Sequence, residues 1–242
     1  MIHAKTRAPA GAAARPVSSR AAAPDVLIRD AQGRELVAGC ALLARSLDFS
    51  DRDALPPWLV QTSAAAGGLA LGAFVGERLA GFSFALPGGP GELFSCGLAV
   101  APELRGRGIG LCLKRVQRAR ALALGVASIR WTADPLSARA LALYLNGLGA
   151  RLTAYLPELY GRVRPSAVPP DDVEIRWSLT VAPEPSTPVA RVEVPLDARS
   201  LAADERMRWR FAVRRGMRDV LARGAVGTAV VIERERAWVE FG

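Results

Sequence analysis

Residues 69 to 110 constrain the fold more than any other part of the sequence. LALGAFV at 69–75 and LAGFSFAL at 79–86 are apolar runs of strand length, and the Gly76-Glu77-Arg78 between them reads as a hairpin turn. A third run, ELFSCGLAV at 92–100, follows PGGPG, so three consecutive antiparallel strands are expected. The period then changes. Ala101-Pro102-Glu103 ends the third strand, and PELRGRGIGLCLKR at 102–115 opens a helix. Its apolar positions Ile109, Leu113, Val116 and Ala123 recur at helical spacing until Gly125 supplies a stop.

The flanking sequence extends the pattern in both directions. DVLIRD reads as a first strand, followed by helices at about Glu35 to Ser46 and Pro57 to Ala66. After the glycine-led helix come the strand ASIRWTA, the turn Asp134-Pro135, a helix from about Ser137 to Leu148, and a short strand at RLTAYL. The order β-α-α-β-β-β-α-β-α-β gives a mixed sheet of α/β or α+β class. Residues 161–189 form a proline-rich connection holding one candidate strand, VEIRWSLTV. RVEVP, a helix from about Leu201 to Arg223, and the runs GTAVVIER and RAWVEFG suggest a β-α-β-β appendage at 190–242, packed on the main domain at 25–160.

Composition narrows the chemistry. The first 24 residues carry four basic side chains, no acidic ones and no apolar core, which reads as a disordered tail rather than a secretory signal. No apolar run approaches the ~20 residues of a membrane span, and the chain is expected in the cytoplasm. Cys40, Cys96 and Cys112 share no metal-like spacing and His3 is the only histidine, so a zinc site, a Ser-His-Asp triad and a Cys-His pair are excluded and no metal is expected. A net charge of +9 suits nucleic acid, a phosphorylated cofactor or an acidic substrate equally.

The glycine segment decides among these. Glycine permits close backbone approach and positive φ, and the first helical turn leaves unpaired amides at a positive dipole end. Together they make a site for phosphate or diphosphate. A P-loop would need Gly-Lys-Ser/Thr where Gly110-Leu111-Cys112 stands, and the glycine phase differs from the dinucleotide fingerprint, which should not follow three antiparallel strands.

The pattern Arg105-x-x-Gly108-x-Gly110 after Leu98-Ala99-Val100 resembles the GNAT superfamily of coenzyme A-dependent N-acyltransferases over residues 25 to about 160. IRWTADPLSARALALYLNGLGARLTAYLPELYG, VEIRW and RMRWRFAVRRGMRDVLARG resemble a GNAT subgroup of predicted acetyltransferases with a carboxy-terminal extension. The resemblance implies a GNAT-like fold and an acetyl-CoA or other acyl-CoA cosubstrate. The amides of Arg105, Gly106, Arg107, Gly108, Ile109 and Gly110 would cradle its diphosphate. Leu98, Ala99 and Val100 would pair with its pantetheine arm, as an added strand pairs with a sheet edge. Lys114, Arg115 and Arg118 form a pattern too common on surfaces to assign.

Acyl transfer to an amine needs a base, an oxyanion donor and an acid for the thiolate. Cys96 stands at a common base position of the family, where the subgroup carries His, and cysteine is a poor base unless its pKa is shifted. Tyr144 is the candidate acid, yet it lies five residues before Gly149 where the family's spacing is four, which puts Leu145 in register. Asp134 and Glu92 are further acid or base candidates that also suit a turn and a strand end. Arg206, Arg210, Arg214 and Arg218 form one stripe on the last helix; Arg210 or Arg214 could reach the carboxylate of an amino acid or a succinyl donor, and a solvated face is the alternative.

The expected function is N-acyl transfer from acetyl- or succinyl-coenzyme A to the amine of a small molecule such as an amino acid, by direct attack in a ternary complex. The alternative is a catalytically inactive module of this fold that senses coenzyme A or binds nucleic acid. Nucleic acid is disfavoured as a partner, and a homodimer is left open.

Overall fold

A computed structural model describes residues 25–47, 54–159 and 168–242. The amino-terminal tail with His3, and residues 161–167 of the proline-rich connection, lie outside the described residues. The first half of the chain runs β1 (Leu27–Asp30), α1 (Arg34–Ser46), α2 (Pro57–Ala65), β2 (Leu69–Val75), β3 (Arg78–Gly89) and β4 (Glu92–Val100). A 3-10 turn (Pro102–Leu104) leads into α3 (Ile109–Ala123), β5 (Ser128–Ala133) and α4 (Ala138–Ala142), which passes into a π turn (Leu143–Gly147). β6 (Arg151–Leu156), β7 (Asp172–Ser178), β8 (Ala190–Val194), α5 (Ala203–Leu221), β9 (Gly227–Glu233) and β10 (Arg236–Phe241) complete it.

The strands form one mixed sheet in the order β1-β2-β3-β4-β5-β7-β6-β9-β10-β8. The α/β class expected from sequence is therefore observed. β7, the candidate strand of the proline-rich connection, inserts between β5 and β6. The carboxy-terminal strands continue the same sheet beyond β6 through the pair Leu152 and Gly227.

Helices cover the meander on both faces, which is why β2 and β3 read as continuous apolar runs. Leu36, Cys40 and Leu43 of α1 and Val60 of α2 bury against Phe82, Phe84 and Ala99. Ile109 and Leu113 of α3 bury against Leu71, Ala73 and Ala80. A larger core under β5, β7 and β6 gathers Trp131, Leu145 and Trp177 with Val213 and Met217 of α5.

Two irregularities shape the centre of the sheet. Phe84 pairs with Gly97 and Ala85 with Ser95, so Cys96 is an extra, bulged residue of β4. A bulge bends its strand and increases the local twist. β4 and β5 run parallel only over Glu92, Leu93 and Phe94, opposite Ser128, Ile129 and Arg130. Beyond that point Ser95 to Val100 keep only β3 as a neighbour, and Trp131 to Ala133 keep only β7. The sheet is thus open as a V whose apex lies at Ser95 and Trp131.

Candidate functional site

The glycine segment stands at the mouth of this V. Gly106 and Gly108 have φ of 76° and 81°, values that a side chain disfavours, and a Cβ at either would meet no atom within 4 Å. Gly108 caps α3 in the left-handed conformation, and the first helical bond runs from the Cys112 amide to the Gly108 carbonyl. The amides from Gly106 to Leu111 have no backbone carbonyl partner among the described residues. A Cβ on Gly110 would contact Leu98 at 3.4 Å and Leu143 at 3.7 Å, so this turn sits between the end of β4 and the π turn. The Arg105 guanidinium donates from Nε to the Val100 carbonyl at 3.1 Å and reaches the Ser46 hydroxyl at 3.4 Å, bracing the loop against β4 and α1. Arg107 is exposed.

Cys96 lies at the bulge, half-buried against the α1 side of the core. Burial pushes its thiol up to about 11, with the Leu86 amide and Lys114 opposing weakly, so it is protonated at neutral pH and poorly suited to take a proton. Tyr144 is partly buried edge-on to Trp131, with ring centroids 5.0 Å apart, on the β5 wall of the V. The π turn accommodates one residue more than an α turn. Within this turn Leu145 is buried in the core at 2% exposure and Tyr144 packs against Trp131. Asn146 fastens this turn to β9: its Nδ2 donates to the Val230 carbonyl and its Oδ1 accepts from the Val230 amide, both at 2.8 Å. Burial pushes the Tyr144 phenol up to about 12.

Arg210 and Arg214 are held by the chain's own carboxylates. Arg214 forms a bidentate pair with Asp171 at 2.8 and 2.6 Å, and Arg210 donates to the Asp134 carboxylate at 2.9 Å and to the Asp171 carbonyl at 3.3 Å. The Asp171 side chain is wholly buried and also accepts from the Tyr155 hydroxyl and the Glu158 amide. Burial pulls its carboxyl up, but Arg214, Tyr155 and the Glu158 amide outweigh that and hold it below its ordinary value. Glu92 is likewise engaged, by Arg130 at 2.6 Å.

One buried residue beside the opening does not stand out in the sequence. Lys114 is not a surface lysine: at 1% exposure its ammonium donates to the Ser95 hydroxyl at 2.9 Å and to Gln117 Oε1 at 3.0 Å, 4.0 Å from the centre of the Trp131 ring. The available signal was spacing, since Lys114 stands three residues before Gln117 and seven before Ala121, both buried on the same face of α3. Among the described residues no three metal-ligating side chains gather, and no helix is long and apolar enough to cross a membrane.

A mixed sheet open at one strand junction, with unpaired amides at the mouth of the opening, is the architecture of acyltransferases that take their acyl group from coenzyme A. The model of the Acetyltransferase (GNAT) family matches residues 35–150, and the chain carries a GNAT acetyltransferase domain over that span. Among solved structures, the ribosomal-protein-S18-alanine N-acetyltransferase of Escherichia coli is 17% identical, with a TM-score of 0.53 over 67% of this chain and 99% of its own. An N-acetyltransferase of Staphylococcus aureus Mu50 is 15% identical, with a TM-score of 0.54 over 64% of this chain and 99% of its own. A GNAT family acetyltransferase of Elizabethkingia anophelis, solved with acetyl-CoA bound, is 18% identical, with a TM-score of 0.51 over 64% of this chain and 98% of its own. At these identities the likeness establishes the fold. A comparison with curated protein sequences finds no significant match.

Proposed function

We propose that the protein transfers an acetyl or succinyl group from coenzyme A to the amine of a small molecule, an amino acid foremost, by direct attack in a ternary complex. The observation that carries this reading is the run of amides from Gly106 to Leu111 without backbone partners at the mouth of an open V. Those amides and the dipole of α3 suit a diphosphate. The edge of β4 from Ser95 to Val100, which no second strand covers, suits the amide-bearing pantetheine arm, which would carry the thioester toward the apex. Tyr144 would line the path of the sulfur. An activated nucleophile is missing at Cys96, whose thiol is pushed up to about 11, and this favours direct attack over an acyl-enzyme.

Arg210 and Arg214 would serve an acceptor carboxylate only by giving up Asp134 or Asp171, so we assign them to holding α5 against the sheet. The protonated Cys96 also favours a second reading, in which the fold binds coenzyme A without catalysis. One assay separates the two: thiol release from acetyl- and succinyl-coenzyme A across a panel of amino acids. Release that depends on the acceptor is expected, and binding of coenzyme A without release from any acceptor would favour the second.

A further inference from the structure

Resting on that reading, we propose that Lys114, through the hydroxyl of Ser95, is the proton donor to the departing coenzyme A thiolate. The geometry comes first. Ser95 is the first residue of β4 and Trp131 the first residue of β5 beyond the last pair of the parallel ladder. Lys114 reaches from α3 to both, donating to the Ser95 hydroxyl at 2.9 Å and standing 4.0 Å from the centre of the Trp131 ring. From Val100, beside the glycine turn, back to Ser95 is five residues of strand, about 17 Å. That matches the length of an extended pantetheine arm, so a diphosphate at the mouth puts the sulfur at the apex. Ser95 accepts from Lys114 and keeps its own hydroxyl proton to pass on.

The electrostatics agree with the placement. An ammonium sealed from water without a carboxylate is costly, and among the described residues no ion pair joins Lys114 to an acid. Burial lowers Lys114 to about 7; the group opposing this is Cys96 on β4. Of the other groups around it, Ser95, Gln117 and the Trp131 indole do not titrate in this range, and Tyr144 on the π turn lies against the same indole. An alkyl thiol loses its proton near about 8.5, so Lys114 is the stronger acid and can give a proton to the thiolate downhill. The Tyr144 phenol, pushed up to about 12, holds its proton more tightly than the thiol does.

The step balances without a further reactant. The acceptor nitrogen forms the C–N bond, the C–S bond breaks, and its electron pair leaves on sulfur. The Ser95 proton moves to sulfur and a Lys114 proton replaces it. The acylated nitrogen sheds its proton to solvent, and Lys114 regains one back through the Ser95 hydroxyl once the products leave the V.

The chain has only two lysines, Lys5 and Lys114, so lysine-labelled protein gives two side-chain resonances and Lys114→Met assigns them. Three measurements on the full chain test the proposal. The Lys114 resonance is expected to titrate near 7 in the free protein, and a titration at the ordinary lysine value overturns the proposal on wild-type protein alone. With coenzyme A bound, ultraviolet thiolate absorbance is expected in wild type only above the titration of Lys114, because the amine gives up its proton before the thiol does; thiolate absorbance that rises while Lys114 is still charged would overturn the donor role. Transfer by Lys114→Met is expected to fall on the order of a hundredfold in kcat, with KM for the acyl donor within a few-fold and the melting temperature unchanged or raised. Tyr144→Phe should lose far less. If wild type binds no coenzyme A, the functional reading above falls and this falls with it. If it binds and Lys114→Met leaves kcat unchanged, the role of Lys114 alone is overturned.

Discussion

Replacing Gly108 with alanine separates what the glycine turn contributes to folding from what it contributes to binding. At φ 81° and ψ −1° a Cβ costs roughly 1–2 kcal/mol of backbone strain. No atom lies within 4 Å of the added carbon, so no steric clash adds to that figure. In a chain of this size the loss lowers the melting temperature by about 2–8 °C. The methyl group would, however, stand where the amides of the first turn converge. Losing two amide bonds to a charged phosphate, at roughly 1.5–3 kcal/mol each, weakens coenzyme A by about 3–6 kcal/mol, on the order of a hundredfold to ten-thousandfold in Kd. Calorimetric titration of wild type and Gly108→Ala with coenzyme A, and with pantetheine, which lacks the diphosphate, reads this out. The variant should lose coenzyme A and treat pantetheine as wild type does. A folded Gly108→Ala protein that binds coenzyme A with wild-type affinity would refute the reasoning.

Further expectations follow from the supports of the site. Asp171→Ala strands Arg214, the Tyr155 hydroxyl and the Glu158 amide, and should cost about 3–5 kcal/mol in urea unfolding; a loss below about 1 kcal/mol would count against the network. Because the folded Asp171 carboxyl lies below its ordinary value, its stabilisation is full above about pH 4 and is lost as pH falls through the folded value; melting temperature against pH should therefore drop more in wild type than in Asp171→Asn across that range. Asn146→Ala breaks both bonds to Val230 and should cost about 1–3 kcal/mol, with faster amide exchange in β9 as the accompanying sign. Brief alkylation at neutral pH, read by mass spectrometry, should modify exposed Cys112 and spare Cys96, held protonated by its burial.

The parts of the fold legible in the sequence were those carried by local pattern. Apolar runs such as LALGAFV announce strands covered on both faces, and the glycine spacing announces an anion-binding helix start, because both follow from backbone geometry within a few residues. The parts that were not legible depend on contacts distant in sequence. Lys114 looks like one more basic surface residue until α3 is laid over the gap between β4 and β5, where its partner Ser95 is nineteen residues away. The π turn at Leu143–Gly147 is fixed by Asn146 bonding to β9, eighty-four residues on. The arginine stripe of α5 was visible by period, but its partner Asp171 lies forty-three residues from Arg214, in a proline-rich connection just before the candidate strand VEIRWSLTV.

Backbone amide exchange of the full chain, with and without saturating coenzyme A, tests the central claim most directly. The account predicts slowed exchange in two separated stretches, the turn from Gly106 to Leu111 and the edge from Ser95 to Val100, because a single ligand would bond to both. Exchange unchanged in both stretches at saturating ligand, or protection confined to α5 and the strands after it, would contradict it.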